Sequence, residues 1–160
     1  MLRTLKELLD NALSPQVAPT AEEQARALHL ATAVLLVEVM RADHDIGREE
    51  KQAVLGALRS RFDLPAQALE ELMAHAQETA RTANDFHAFT SQINERFTHP
   101  KKVELVESLW HVAYADAHLD AHENHVISKV AGLLHVTHGE YIAAKMRAKT
   151  AADSGTGRQQ

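Results

Sequence analysis

Leu2, Leu5, Leu8/Leu9 and Ala12/Leu13 recur every three or four residues, the spacing of one face of a helix. Ser14 to Pro19 then holds two of the four prolines and reads as a linker. Thr20-Ala-Glu-Glu23 is a capping box: the Thr20 hydroxyl accepts from the amide three residues on, and Glu23 reaches back. The pattern predicts a long helix from there to about Arg41. Its stretch Ala27 to Met40 is apolar except for His29, Thr32 and Glu38. Ala42 to Gly47 is a short break. Ala53/Val54, Ala57/Leu58 and Phe62 predict a second core helix. Pro65 suits the first turn of a third, which buries Leu69, Leu72/Met73 and Ala76. Phe86, Phe89, Ile93 and Phe97 mark a fourth behind Asn84/Asp85. Pro100 opens a fifth, with Val103, Val106, Leu109/Trp110 and Ala113 inward. After a break at Ala115 to Asp120, Val126/Ile127, Val130 and Leu133/Leu134 give a sixth. Thr137-His-Gly-Glu140 is a second capping box and starts the last helix.

Alternating apolar and polar runs are absent, as are hairpin dipeptides such as Asn-Gly, so the predicted class is all-α. The expected organisation is an amphipathic segment and linker over 1–19, a helical domain over 20–148, and a small, polar, flexible tail over 149–160.

Composition narrows the function classes. At 160 residues, 45% hydrophobic and 24% charged, the chain is one soluble domain. Its longest apolar stretch is shorter than the ~18–20 residues a bilayer requires, so no transmembrane segment is expected. Lys6, Glu7 and Asp10 interrupt the apolar core that a signal peptide needs. There is no cysteine, which excludes disulfides, Fe–S clusters, thiolate zinc sites and a cysteine nucleophile. The expected location is cytoplasmic. The net charge of -5 argues against an electrostatic grip on nucleic acid or anionic lipid. No phosphate loop and no Ser-His-Asp order with an elbow glycine occur. Neither an enzyme nor an organic cofactor is expected. The unusual count is 11 histidines.

The chain contains a weak internal repeat. Val39-Met-Arg-Ala-Asp-His-Asp-Ile-Gly-Arg-Glu-Glu50 aligns with Val112-Ala-Tyr-Ala-Asp-Ala-His-Leu-Asp-Ala-His-Glu123, every position shifted by 73. Ala42/Ala115, Asp43/Asp116, Ile46/Leu119 and Glu50/Glu123 match in type. The unit is an apolar helix, then A-D-x-x-[IL]-x-x-x-E, then a core helix. Two copies suggest pseudo-symmetric helix–acidic loop–helix repeats.

This doubled motif in an all-helical domain resembles the TerB family of tellurite-resistance-associated proteins, over roughly Glu22 to Lys145. It is also similar to the N-terminal module of a DnaJ-like membrane co-chaperone. Where the family usually has Ala-Asp-Gly, this chain has Ala-Asp-His and Ala-Asp-Ala. The resemblance implies a bundle of about seven or eight helices. It also implies a divalent-metal-binding face on Asp43, Glu50, Asp116 and Glu123, and a stress-response association rather than a reaction.

Read from the residues, those four acids carry two readings. Carboxylates suit a hard cation such as Ca²⁺, Mg²⁺ or Mn²⁺. Equally, Glu50 and Glu123 fall at the third helical position if Gly47 and Asp120 are the N-caps, where a carboxylate bonds free amides. Neither loop is an EF-hand: its bidentate glutamate would fall on Val54 or Ile127. His122-Glu-Asn-His125 is one residue short of the zincin motif. His118 and His122 could extend the site toward Zn²⁺, which the oxygen-rich set favours less. Glu38 and His111 align under the repeat on helices that look buried, which raises an ion pair between them beside the alternative of two wet helix edges. His29, His75, His87, His99, His135 and His138 belong to no constellation.

Two functions follow. One is a non-enzymatic metal-binding module that docks protein partners, including at the inner membrane face. The other is a metal-free helical adaptor whose acids are caps. A hydrolase on a metal-bound water is a third, with no nucleophile or oxyanion donor to support it.

Overall fold

The computed structural model describes residues 20–42, 47–115 and 121–157. They form seven helices: α1 (Ala21–Ala42), α2 (Arg48–Arg61), α3 (Ala66–Thr82), α4 (His87–Arg96), α5 (His99–Ala113), α6 (Ala121–Leu133) and α7 (His138–Gly157). No strand occurs among the described residues, so the all-α expectation holds. The predicted segment Leu2–Leu13 lies outside the described residues. So do the loop residues Asp43, His44, Asp116 and His118.

The first capping box starts α1 as predicted. Thr20 Oγ1 accepts the Glu23 amide at 3.1 Å, and Glu23 Oε2 accepts the Thr20 amide at 3.3 Å. Beyond it, Ala31, residues 33–37, Val39 and Met40 have no exposed surface. A helix apolar on all sides must be covered on all sides, and α1 packs against α2, α3, α4, α5 and α6. Thr32, also buried, donates its hydroxyl to the Leu28 carbonyl at 2.9 Å, so its polarity is satisfied within the helix.

α5 is the second core helix, burying Leu105, Val106, Leu109, Trp110, Val112 and Ala113. α7 lies along it. The buried residues of α7 are Ala144 and Ala148, small enough for two helices to approach closely. Tyr141 sets its ring 5.3 Å from that of Trp110, and the Lys145 ammonium stands 5.1 Å from the same ring.

Three features go beyond the sequence expectation. Of the Phe86/Phe89/Ile93/Phe97 stripe only Ile93 is fully buried; Phe86 and Phe97 are the caps of α4 and, like Phe89, are half-buried. The last helix runs on to Gly157 instead of giving way to a polar tail near Lys149. Extending a formed helix fixes one residue per hydrogen bond, so it proceeds without further core burial; the last fully buried residue remains Ala148. Finally, α6 ends on a non-glycine residue in the left-handed region, His135 with φ 60°. The Val136 amide bonds the Ala131 carbonyl at 3.0 Å and the His135 amide bonds the Gly132 carbonyl at 3.1 Å, the two hydrogen bonds of a Schellman cap.

Candidate functional site

α2 and α6 each follow one of the acidic motifs, and their first residues, Arg48 and Ala121, are the same 73 positions apart as the motifs. Gly47 is the N-cap of α2, as expected, with extended backbone. Glu50 and Glu123 therefore stand third in their helices. Two other glutamates share that position, Glu23 in α1 and Glu140 in α7. The four divide sharply by environment. Glu23 is exposed and Glu140 half-exposed, each closing a capping box with a threonine. Glu50 and Glu123 are both 0% exposed, and they are the charged residues at the bottom of the described core.

The contrast bears on the two readings of these acids. A cap glutamate does its work at the surface, as Glu23 and Glu140 do. Taking a carboxylate out of water costs several kcal/mol unless donors or a cation replace the lost hydration. Capping alone gives no reason for that cost. The positive end of the helix dipole helps at both positions, but it helps equally at Glu23.

The bundle also brings the flanks of the two motifs together. A surface pocket of about 360 Å³ is lined by Glu38, Arg41 and Ala42 at the end of α1 and by His122, His125 and Val126 at the start of α6. The first motif leaves from one wall and the second arrives at the other. The repeat suggests two equivalent loops, and their helix flanks meet at this pocket.

The proposed Glu38–His111 pair does not form. Glu38 bonds Arg41 at 3.0 Å, one turn along its own helix, and His111 lies 3.7 Å from Glu107 on an exposed face. His111 is exposed, whereas Glu38 is mostly covered and finds its partner on its own helix. Burial raises the Glu38 carboxyl above its ordinary pKa, partly offset by the Arg41 guanidinium. Several histidines without an expected role acquire partners, His87 with Ser91 and His138 with Tyr141 among them. His29 packs its ring 4.1 Å from that of Phe62, and burial lowers its pKa. His99 reaches Glu140, an i to j separation too long for any local motif to signal. His122 is exposed on the pocket wall.

Among the described residues, no three His, Asp or Glu side chains form a metal-ligand group. Asp43 and Asp116, two of the four expected ligands, lie outside that set. No described helix is long and apolar enough to cross a membrane.

The profile of the family described as tellurite resistance protein TerB matches residues 29–146. This chain belongs to the TerB family. The matched span runs from the third turn of α1 into α7 and includes both acidic motifs. Membership makes it a tellurite-resistance-associated helical domain. No match was found among curated proteins or among solved structures.

Proposed function

We propose that this TerB domain is a non-enzymatic metal-binding module of the cytoplasm that docks protein partners. A divalent cation is held by Asp43, Glu50, Asp116 and Glu123, with His118 and His122 as an extension. The observation that supports this reading is the complete burial of Glu50 and Glu123 at a helix position where Glu23 and Glu140 remain in contact with water. The four principal donors are carboxylates, which fits Ca²⁺, Mg²⁺ or Mn²⁺ better than Zn²⁺. When bound, the ion would add positive charge beside the two buried carboxylates. The chain supplies rigidity: each glutamate projects from the first turn of a helix whose dipole favours its ionised form. The common pocket between α1 and α6 puts the two motifs within reach of a shared function.

The test is calorimetric titration with Ca²⁺, Mg²⁺, Mn²⁺ and Zn²⁺, followed by thermal melts. An ion that binds only the folded chain at a hundred times its Kd stabilises it by about 2.7 kcal/mol. Asp43→Asn combined with Asp116→Asn should abolish that rise. If no ion moves the melting temperature at millimolar concentration, the metal-free adaptor replaces this reading.

A further inference from the structure

α7 is joined to α6 by residues 134–137, and the chain reverses there on His135, which is exposed and left-handed at φ 60°. A histidine in that region is strained, because its Cβ crowds the carbonyl that follows. No proline lies in the connector, so extended backbone is open to each of its residues. Past the reversal, α7 lies along α5, and the residues it buries there are small, Ala144 and Ala148. Polar and aromatic ties complete the seat. Glu140 meets His99 at 2.9 Å, Arg147 donates to Glu107 at 2.9 Å, and the Lys145 ammonium stands over the Trp110 ring. The Tyr141 hydroxyl donates to Asn124 of α6 at 3.3 Å. Ile142 and Met146, one turn apart, stay 39% and 52% exposed.

We propose that α7 exchanges between two copies of this chain, each copy docking its α7 on α5 of the other. Fit selects that occupant. The seat on α5 offers a carboxylate (Glu107), an imidazole (His99) and an indole face (Trp110), and α7 of a second copy carries the matching arginine, glutamate and lysine at the matching spacings. The closed monomer and the exchanged dimer thus share one α5–α7 interface. The balance between them rests on the connector and on contact between the copies. In the monomer, residues 134–137 make the tight reversal with His135 left-handed. In the dimer they run extended, His135 returns to the broad β region, and the strain is released in both chains. Each chain gives up the two Schellman hydrogen bonds to water in exchange. Short connectors under strain invite exchange of this kind. Ile142 and Met146 travel with α7 and bring apolar surface to the new contact. Exchange needs a second chain and the closed form does not, so the dimer share rises with protein concentration.

The chain has no cysteine, so introduced thiols have no competitor. Full chains carrying Glu107→Cys, and isotope-labelled chains carrying Arg147→Cys, are refolded together from urea at roughly millimolar concentration. They are joined with a short bis-maleimide and mapped by mass spectrometry. The doubly substituted chain, folded dilute, gives the reference cross-link of the closed form. Glu107→Cys mixed with Glu22→Cys, on the exposed start of α1, measures chance collision. The expected result is a cross-link between labelled and unlabelled chains in several-fold excess over the collision pair. A second measurement is the dimer share of cysteine-free chains by size-exclusion chromatography. His135→Gly, which relieves the closed turn, should lower it several-fold, and His135→Val should raise it. Chains that stay monomeric at that concentration, a cross-link no more frequent than collision, or a dimer share unchanged in both position-135 variants overturns the proposal.

Discussion

His99 Nε2 lies 2.9 Å from each carboxylate oxygen of Glu140, joining the first turn of α5 to the first turn of α7. Glu140 also accepts the amide and hydroxyl of Thr137 at 3.0 and 2.9 Å. The Thr137 amide, then the His99 ring, hold its carboxyl down to about 2 from an ordinary 4.5. A depressed acid contributes stability above its unfolded pKa and loses it as pH falls through the folded one. The contribution of Glu140 is therefore complete above about pH 4.5 and is lost toward pH 2. Glu140→Gln should melt at a lower temperature than the parent at pH 6, with the gap closing as pH is lowered through that window. Carbon-13 titration of His99→Ala should show the Glu140 pKa moving up.

Glu23→Gln and Glu50→Gln make the same chemical change at the same helix position. In an ion-free buffer the first should lower stability by a few tenths of a kcal/mol, the value of an exposed charge near a helix start. With saturating Mn²⁺ the first should keep the ion-dependent rise in melting temperature and the second should lose it. Equal behaviour of the two variants would assign Glu50 to capping.

His135 adopts φ 60° at an exposed position. A side chain in the left-handed region costs roughly 1–2 kcal/mol, which glycine avoids at some expense in unfolded-state entropy. His135→Gly should raise stability by about 0.5–1 kcal/mol, read from urea unfolding. His135→Val, branched at Cβ, should lower it.

Trp110 is the single tryptophan and is fully buried between α5 and α7. Its fluorescence should be blue-shifted in the native protein and should report the docking of α7. Ala144→Leu inserts bulk at a fully buried position of α7 and should cost about 1–3 kcal/mol. Its emission should shift to the red if α7 is displaced.

The helices were legible because their signals are local. The 3.6-residue period, the threonine–glutamate boxes at Thr20 and Thr137 and the prolines at Pro65 and Pro100 act within a few residues of one another. The candidate site was legible in part. The repeat singled out Glu50 and Glu123, but position in a helix gave both cap and ligand, and only burial separates them from Glu23 and Glu140. What the sequence did not disclose was tertiary. The Glu38–His111 pairing failed because alignment under a repeat says nothing about which way a helix is turned. His99–Glu140 and the pocket shared by Arg41 and His122 depend on how distant helices pack. The left-handed His135 hides because Gly132, rather than position 135, carries the glycine that a helix end advertises.

The all-round burial of α1 sets a condition on how the protein is made. In synthesis from the N-terminus, α1 leaves the ribosome before any helix that covers it, and the cover of α6 arrives only near the end of the chain. Until then its leucines and valines have nowhere to go but water or a chaperone. Folding must wait for most of the chain, so truncation from the C-terminal side should leave a sticky fragment rather than a smaller domain.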